Sequence, residues 1–190
     1  MSIVVAIKKN LQIVLASDSQ TNFGAQVVTT DNLSTVKIRA VGDSFLASTG
    51  WSLYDNILDD FLAGKETIRL PDKHAIFSFF MKLWKEMREN YSLVNEQCSD
   101  DDSPFGDLDA SFLLANANGI FHVSSDMSVT EFKKYYAIGS GAEYGLGALF
   151  TLYESDLEAE AIACKAIDAA RAFNLYCGGE IQVTKIPTQE

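Results

Sequence analysis

The chain has 190 residues, 47% of them hydrophobic, enough for one domain to bury its own core without disulfides or metal. Lys and Arg number 15 against 26 Asp and Glu, a formal net charge of −11. A surface of that sign repels nucleic acid and anionic membranes, so neither is expected as the main partner. The three cysteines, Cys98, Cys164 and Cys177, follow no zinc or CxxC spacing and read as free thiols of a reducing cytoplasm. The opening MSIVVAIKKN has no basic segment followed by a long apolar run and a cleavage site, so it does not read as a signal peptide. No apolar run approaches the roughly 20 residues that cross a bilayer.

Residues 2–8 are rich in β-branched side chains and predict a strand, and Asn10-Leu11 a turn into a second strand over 12–17. A polar stretch follows over 18–34, with an extended centre at 25–28. Strands are predicted over 35–41 and 44–48, joined at Gly42-Asp43. The period then changes. Trp51, Tyr54, Ile57, Leu58, Phe61 and Leu62 recur at helical spacing, with Ser52 as cap and Gly64 as stop. A second helix starts near Pro71-Asp72, and Ile76, Phe79, Phe80, Leu83, Trp84 and Met87 mark its buried stripe. The acidic stretch 98–109 reads as a solvated loop. Strands resume over 109–115 and 120–123 around Asn118-Gly119, and 129–138 reads as extended. A helix runs from Gly139-Ser140-Gly141 to about residue 153. Ser155 to Glu158 spells a capping box that opens another helix to about residue 173. Gly178-Gly179 stops it, and 180–186 is a last strand. Runs of strands separated from runs of helices indicate an α+β fold. Two apolar sheets between two pairs of helices bury every apolar face, which predicts a four-layer αββα sandwich, one domain over 1–190.

Five short segments, in order, resemble the β-subunits of the proteasome and HslV, a family of N-terminal-nucleophile hydrolases. Ser2-Ile3-Val4-Val5-Ala6-Ile7 resembles the opening of a mature subunit, which starts at a nucleophilic Thr. Ile13 to Ala16 followed by Asp18-Ser19 resembles the strand end that carries the family's acid. Lys37-Ile38 resembles the lysine segment, Ala47-Ser48-Thr49-Gly50 the strand end that supplies an oxyanion amide, and Ala137 to Gly141 the turn before a helix. The resemblance spans residues 2–186. Three features depart from it. Ser stands for Thr, the interval from Asp18 to Lys37 is a few residues longer, and Asn174 and Cys177 stand where the family has Asp and Ser.

The resemblance implies a chemistry. A serine hydroxyl needs a base to become a nucleophile. Once Met1 is removed, the α-amine of Ser2 would be that base, with a reference pKa of about 7.7–8.0. The Lys37 ammonium would lower it by like-charge repulsion, and Asp18 would hold Lys37. The amide of Gly50 would receive the oxyanion, a donor worth about 3 kcal/mol of barrier. Ser140 would hydrogen-bond around the amine and its water, and Asn174, at the position of the family's Asp, would support it less. No cofactor is expected and no metal is assigned to the reaction. The carbonyls near Tyr176 and Gly179 offer a cation position by the same comparison. Ser48 and Ser52 would border the substrate pocket. The implied assembly is the chain with itself, in stacked six- or seven-membered rings, open to an ATP-dependent unfoldase and to peptide or unfolded-protein substrates.

Other readings compete. A non-catalytic ring subunit fits a retained Met1 together with Asn174. A small-molecule amidase with the same nucleophile is a third. The two histidines, His74 and His122, would be needed for a Ser-His-Asp triad, and no G-x-S-x-G elbow accompanies them. Asp100, Asp102, Gly106 and Asp107 have a calcium-loop flavour without the closing Glu.

Overall fold

The computed structural model describes residues 2–28, 32–33, 36–65, 67–91 and 108–188. Strands β1 (Val4–Lys9) and β2 (Gln12–Asp18) pair across a tight turn. Asn10 and Leu11 adopt φ of 50° and 58° there, the left-handed pair that matches the twist of a two-residue hairpin. Strand β3 (Thr21–Phe23) and strand β4 (Gln26–Val28) make a small separate hairpin where a polar stretch with an extended centre was expected. Next come β5 (Ile38–Val41), β6 (Ser44–Gly50), α1 (Ser52–Leu62) and α2 (Lys73–Asn90). They are followed by β7 (Ala110–Asn116), β8 (Ile120–Val123), β9 (Val129–Phe132), β10 (Tyr135–Ile138), α3 (Ala142–Leu152), α4 (Ala159–Phe173) and β11 (Ile181–Pro187).

The strands form two main antiparallel sheets, ordered β10-β1-β2-β11 and β5-β6-β7-β8-β9. Three apolar clusters separate four layers. Val4, Ala6, Ile13 and Leu15 of the first sheet meet Ala47, Leu113, Ala115 and Ile120 of the second. On the outer face of the first sheet, Ile3, Val5, Ile7, Val14 and Ala16 pack on Ile162, Ala163, Ala166 and Ile167 of α4. On the outer face of the second, Leu46, Phe112, Leu114 and Phe121 pack on Ile57, Ile76, Phe80 and Leu83 of α1 and α2. The αββα sandwich is thus the architecture. It also explains why the first strand reads as an unbroken apolar run, because both of its faces are buried.

Local details differ from the sequence reading. The extended run 129–138 is two strands in different sheets, and the chain changes sheet at Lys133-Lys134. Phe132 and Tyr136, ring centroids 3.9 Å apart, stack across that change. The N-cap of α1 is Trp51, without a side-chain bond, and Ser52 is the first helical residue. The Ser155–Glu158 capping box does not form. Glu158 holds the N-cap position of α4, while Ser155 Oγ donates to Leu152 O and accepts from Leu157 N, so it closes the end of α3 instead. Trp84 is half-buried and flanks the stripe to which it was assigned. Asp72 does cap α2, accepting from Ala75 N at 2.8 Å. Cys98 and the acidic positions 100–107 lie outside the described residues.

Phe80 is fully buried between the rings of Phe79 and Phe112, at centroid distances of 5.3 and 4.8 Å. Phe80→Ala is expected to lower the unfolding free energy by about 3–5 kcal/mol, measured by urea titration against the parent protein. A loss below about 1 kcal/mol would show that the α2 interface is not packed as described.

Candidate active site

The first strand starts at Val4, so Ser2 and Ile3 lie at its mouth and are held by other means. Ser2 is buried, with 6% exposure. Its carbonyl accepts from Gly141 N at 3.3 Å and from Ser140 Oγ at 3.4 Å. Gly139, at φ +95°, is needed beside it, because a Cβ there would lie 2.3 Å from Ser2 O and 2.9 Å from Thr49 Cγ2. Thr49 is the neighbour of Gly50, so the last residues of β6 pack on the turn that holds Ser2. Gly50 has φ +133°, and a Cβ would fall 2.2 Å from Asp109 O. Glycine is the residue this strand end accepts.

Asp18 closes β2 with no exposure at all. Its Oδ1 accepts from Ile3 N at 3.1 Å and from Lys37 Nζ at 2.9 Å, and its Oδ2 accepts from Gly178 N at 2.9 Å. Lys37 immediately precedes β5. Its ammonium also donates to Ser2 Oγ at 2.8 Å and to Gln20 O at 2.7 Å. A lysine head has three N–H donors, so all three are used, each on a different oxygen. The Lys37 amide donates to Gln182 Oε1 of β11 at 2.9 Å. The longer interval between Asp18 and Lys37 still lets the two side chains meet: the β3–β4 hairpin occupies part of it, and bonds from the Lys37 amide and ammonium set its position.

The loop after α4 completes the enclosure. Asn174 Nδ2 donates to Ser140 O at 2.6 Å, and Asn174 Oδ1 accepts from Tyr176 N at 2.9 Å. Asn174 thus braces the turn that carries Ser140. Gly178 O accepts from Ser19 N and Gln20 N at 3.2 and 3.0 Å. Tyr176 O, at the suggested cation position, accepts from Asn22 Nδ2 at 3.5 Å. Among the described residues no group of three or more His, Cys, Asp or Glu is placed to hold a metal ion.

Ser2, Asp18, Lys37 and Ser140 are thus brought together, with Gly50 at the rim and Asn174 one contact further out. Sequence reasoning missed Gln20, Gly178 and Gln182. The first contributes a backbone carbonyl and the second a backbone amide, which leave no side-chain signal. Gln182 lies 145 residues from Lys37, its hydrogen-bond partner. His122 faces Tyr136 at 5.1 Å, and burial lowers its pKa against the opposing pull of Asp126. Tyr136 pairs with Ala6, four residues along from Ser2 or about 13 Å of strand, so His122 stands away from the serine. His74 is exposed in the first turn of α2. Neither histidine is set for a triad.

The fold is that of the proteasome-type N-terminal-nucleophile hydrolases. No family model matches the chain. The HslV protease subunit of Caulobacter sp. strain K31 is 30% identical over 189 residues, covering 96% of this chain and 92% of its own. That of Caldicellulosiruptor saccharolyticus is 27% identical, covering 96% and 97%. Thiobacillus denitrificans BPH, solved in complex with epoxomicin, superposes with a TM-score of 0.90 at 31% identity over 99% of this chain and 100% of that one. The Trypanosoma brucei HslV structure shares the fold, at 20% identity and a TM-score of 0.68 over 97% and 99% of the two chains. The chain belongs to the HslV-type family of proteasome-like protease subunits.

Cys177 lies beside the cluster, and a Cβ on Gly141 would sit 2.7 Å from its Sγ. Burial, and then the Asp18 carboxylate, push its thiol up to about 11. A raised pKa keeps the neutral thiol through physiological pH, so Cys177 is no rival nucleophile. In a protein carrying Cys98→Ser and Cys164→Ser, iodoacetamide labelling at pH 8 should run about a thousandfold slower than for a thiol fully ionised at that pH, and should climb tenfold per pH unit toward 11. A rate that levels off near pH 8.5 would contradict this environment.

Proposed function

We propose that the chain is a subunit of a self-compartmentalising peptidase, one domain over residues 1–190, whose nucleophile is Ser2 after removal of Met1. The observation that carries this reading is the Lys37 ammonium, 2.8 Å from Ser2 Oγ and 2.9 Å from Asp18 Oδ1. With all its N–H groups donating, that ammonium stabilises charge on the serine oxygen and leaves proton abstraction to the α-amine. The amine takes the Ser2 proton as Oγ attacks the scissile carbonyl, and returns it to the leaving amine. Water then hydrolyses the ester. Like-charge repulsion from Lys37 favours the neutral form of the amine. The Gly50 amide receives the oxyanion. Ser140 and Asn174 are positioning residues for the Ser2 backbone.

The curated relatives are named ATP-dependent protease subunits, which supports an ATP-driven unfoldase as partner. Self-association in stacked six- or seven-membered rings would hide the serine from folded proteins and admit peptides and unfolded chains. A cytoplasmic location suits free thiols, and among the described residues no helix is long and apolar enough to cross a membrane. A non-catalytic ring subunit is the second reading. It draws on Asn174, whose amide is spent on Ser140 O and Tyr176 N where the family carries a charge.

Intact mass before and after a peptide epoxyketone such as epoxomicin separates the two. The catalytic subunit lacks Met1 and gains one probe per chain. Ser2→Ala assembles but loses probe uptake and peptide turnover, whereas Ser2→Thr keeps both. A retained Met1 with no uptake would replace the peptidase by the scaffold.

A further inference from the structure

Gln182 has no part in the reaction above. It lies on β11 opposite Ser17, next to the pairing of Ile181 with Asp18. Side chains alternate along a strand, and directly opposed residues of an antiparallel pair face the same way. Ile186 of β11 and its partner Ile13 both pack in the layer between the two sheets. By that period Gln182 and Ser17 also face the second sheet, at the end of the layer nearest Lys37. Gln182 reaches across the gap, and its Oε1 accepts from Lys37 N at 2.9 Å. Lys37 comes just before Ile38, the first paired residue of β5, and the Val36 side chain that precedes it is 62% exposed. The Lys37 backbone thus lies outside the ladder of its own strand, and the bond from Gln182 ties it to the other sheet.

We propose that Gln182 is a positioning residue for the reaction: it fixes the backbone of Lys37 while Asp18 fixes the ammonium, and together they hold the lysine head against Ser2 Oγ. This rests on the peptidase reading and adds a residue to its machinery. Both anchors stand on the first sheet, on the neighbouring strands β2 and β11, and Ser2 leads into β1 of that sheet. Lys37 leads into the second sheet, so the two bonds set it relative to the sheet that carries the nucleophile. A lysine stem is flexible, and an ammonium bonded only at its head can follow Asp18 while its backbone drifts. The bond at the amide removes that freedom. Without the Gln182 oxygen, the Lys37 N–H would lose its acceptor in a part-buried place, and the segment would shift to find water. The ammonium also bonds Gln20 O at 2.7 Å, so a shift of the segment would disturb bonds on more than one side of the lysine head.

The test compares Gln182→Leu, Gln182→Val and Gln182→Glu with the parent protein, in turnover of a fluorogenic peptide and in the rate of epoxomicin uptake, on the folded fraction from size-exclusion chromatography. Leu and Val remove the acceptor, and Val, being β-branched, suits a strand if Leu disturbs it. Glu keeps an oxygen at the same reach. Each kcat is read on its alkaline plateau, because an added carboxylate favours the protonated amine. In Gln182→Leu and Gln182→Val, kcat is expected to fall about tenfold with KM within about twofold of the parent, since a misplaced group costs rate rather than substrate binding. Gln182→Glu is expected to bring kcat back to within about threefold of the parent, and epoxomicin uptake to follow the same order. A parent-like kcat and uptake rate in both acceptor-free variants, or an equal loss in Gln182→Glu, overturns the role of Gln182 and leaves the peptidase standing. Failure of both acceptor-free variants to fold makes Gln182 a residue of the fold and overturns the role as well. No turnover by the parent, together with no epoxomicin uptake, overturns the peptidase and this role with it.

Discussion

The ion pair between Asp18 and Lys37 is the constraint on which the rest of the site hangs. The two side chains are 0% and 10% exposed, so neither charge is hydrated as it would be in water. A pair buried this deeply costs desolvation, and removing one partner typically costs about 3–5 kcal/mol because the other is left uncompensated. The burden is distributed here. Asp18 takes three hydrogen bonds, from Ile3 N, Lys37 Nζ and Gly178 N, and Lys37 makes three of its own. The bonded groups come from the start of β1, the end of β2, the approach to β5 and the loop after α4. Asp18 lies in one sheet and Lys37 leads into the other, so the pair clips the two sheets together at one end of the sandwich.

That end is open to chemistry because the sheets diverge from apolar to polar along their length. Between the sheets the layer is Val4, Ala6, Leu15, Ala47 and Leu113, with no charge. At its edge stand Ser2, Asp18 and Lys37. The hairpin β1–β2 places Ser2 opposite the end of β2 by register alone, since Val4 pairs with Ser17. The turn at 139–141 then locks the serine backbone at a distance that a Cβ on Gly139 would forbid. Strand ends, the turn at 139–141 and the loop after α4 thus converge on one edge of the sandwich.

Charge is graded outward from the serine. Inside, one lysine answers one aspartate. Outside, Arg39 answers two, Asp55 and Asp59, and burial of its guanidinium is outweighed by those carboxylates, which raise its pKa. The lysine of the inner pair lies within hydrogen-bond reach of a serine oxygen. The outer network has its carboxylates partly exposed to solvent. One fold edge thus carries two electrostatic environments, separated by two residues of strand.

The sequence alone determined the order and type of most elements, the β3–β4 hairpin excepted, because the apolar period reports burial on one face or two. The run from Ser2 to Ile7, the helical stripe from Ile76 to Met87 and the glycines around Ser140 were legible in that sense. So were Ser2, Asp18 and Lys37 as a trio, through their resemblance to a family rather than through spacing. Tertiary structure decided which strands pair, and hence that 129–138 bends from one sheet into the other at Lys133-Lys134. It also decided that Ser155 closes one helix instead of opening the next. It recruited Gln20 and Gly178 through backbone groups, and Gln182 from the last strand. Local pattern encodes how far a residue is buried but not what it touches. Contacts such as Gly178 N to Asp18 Oδ2, 160 residues apart, exist only once the layers have closed.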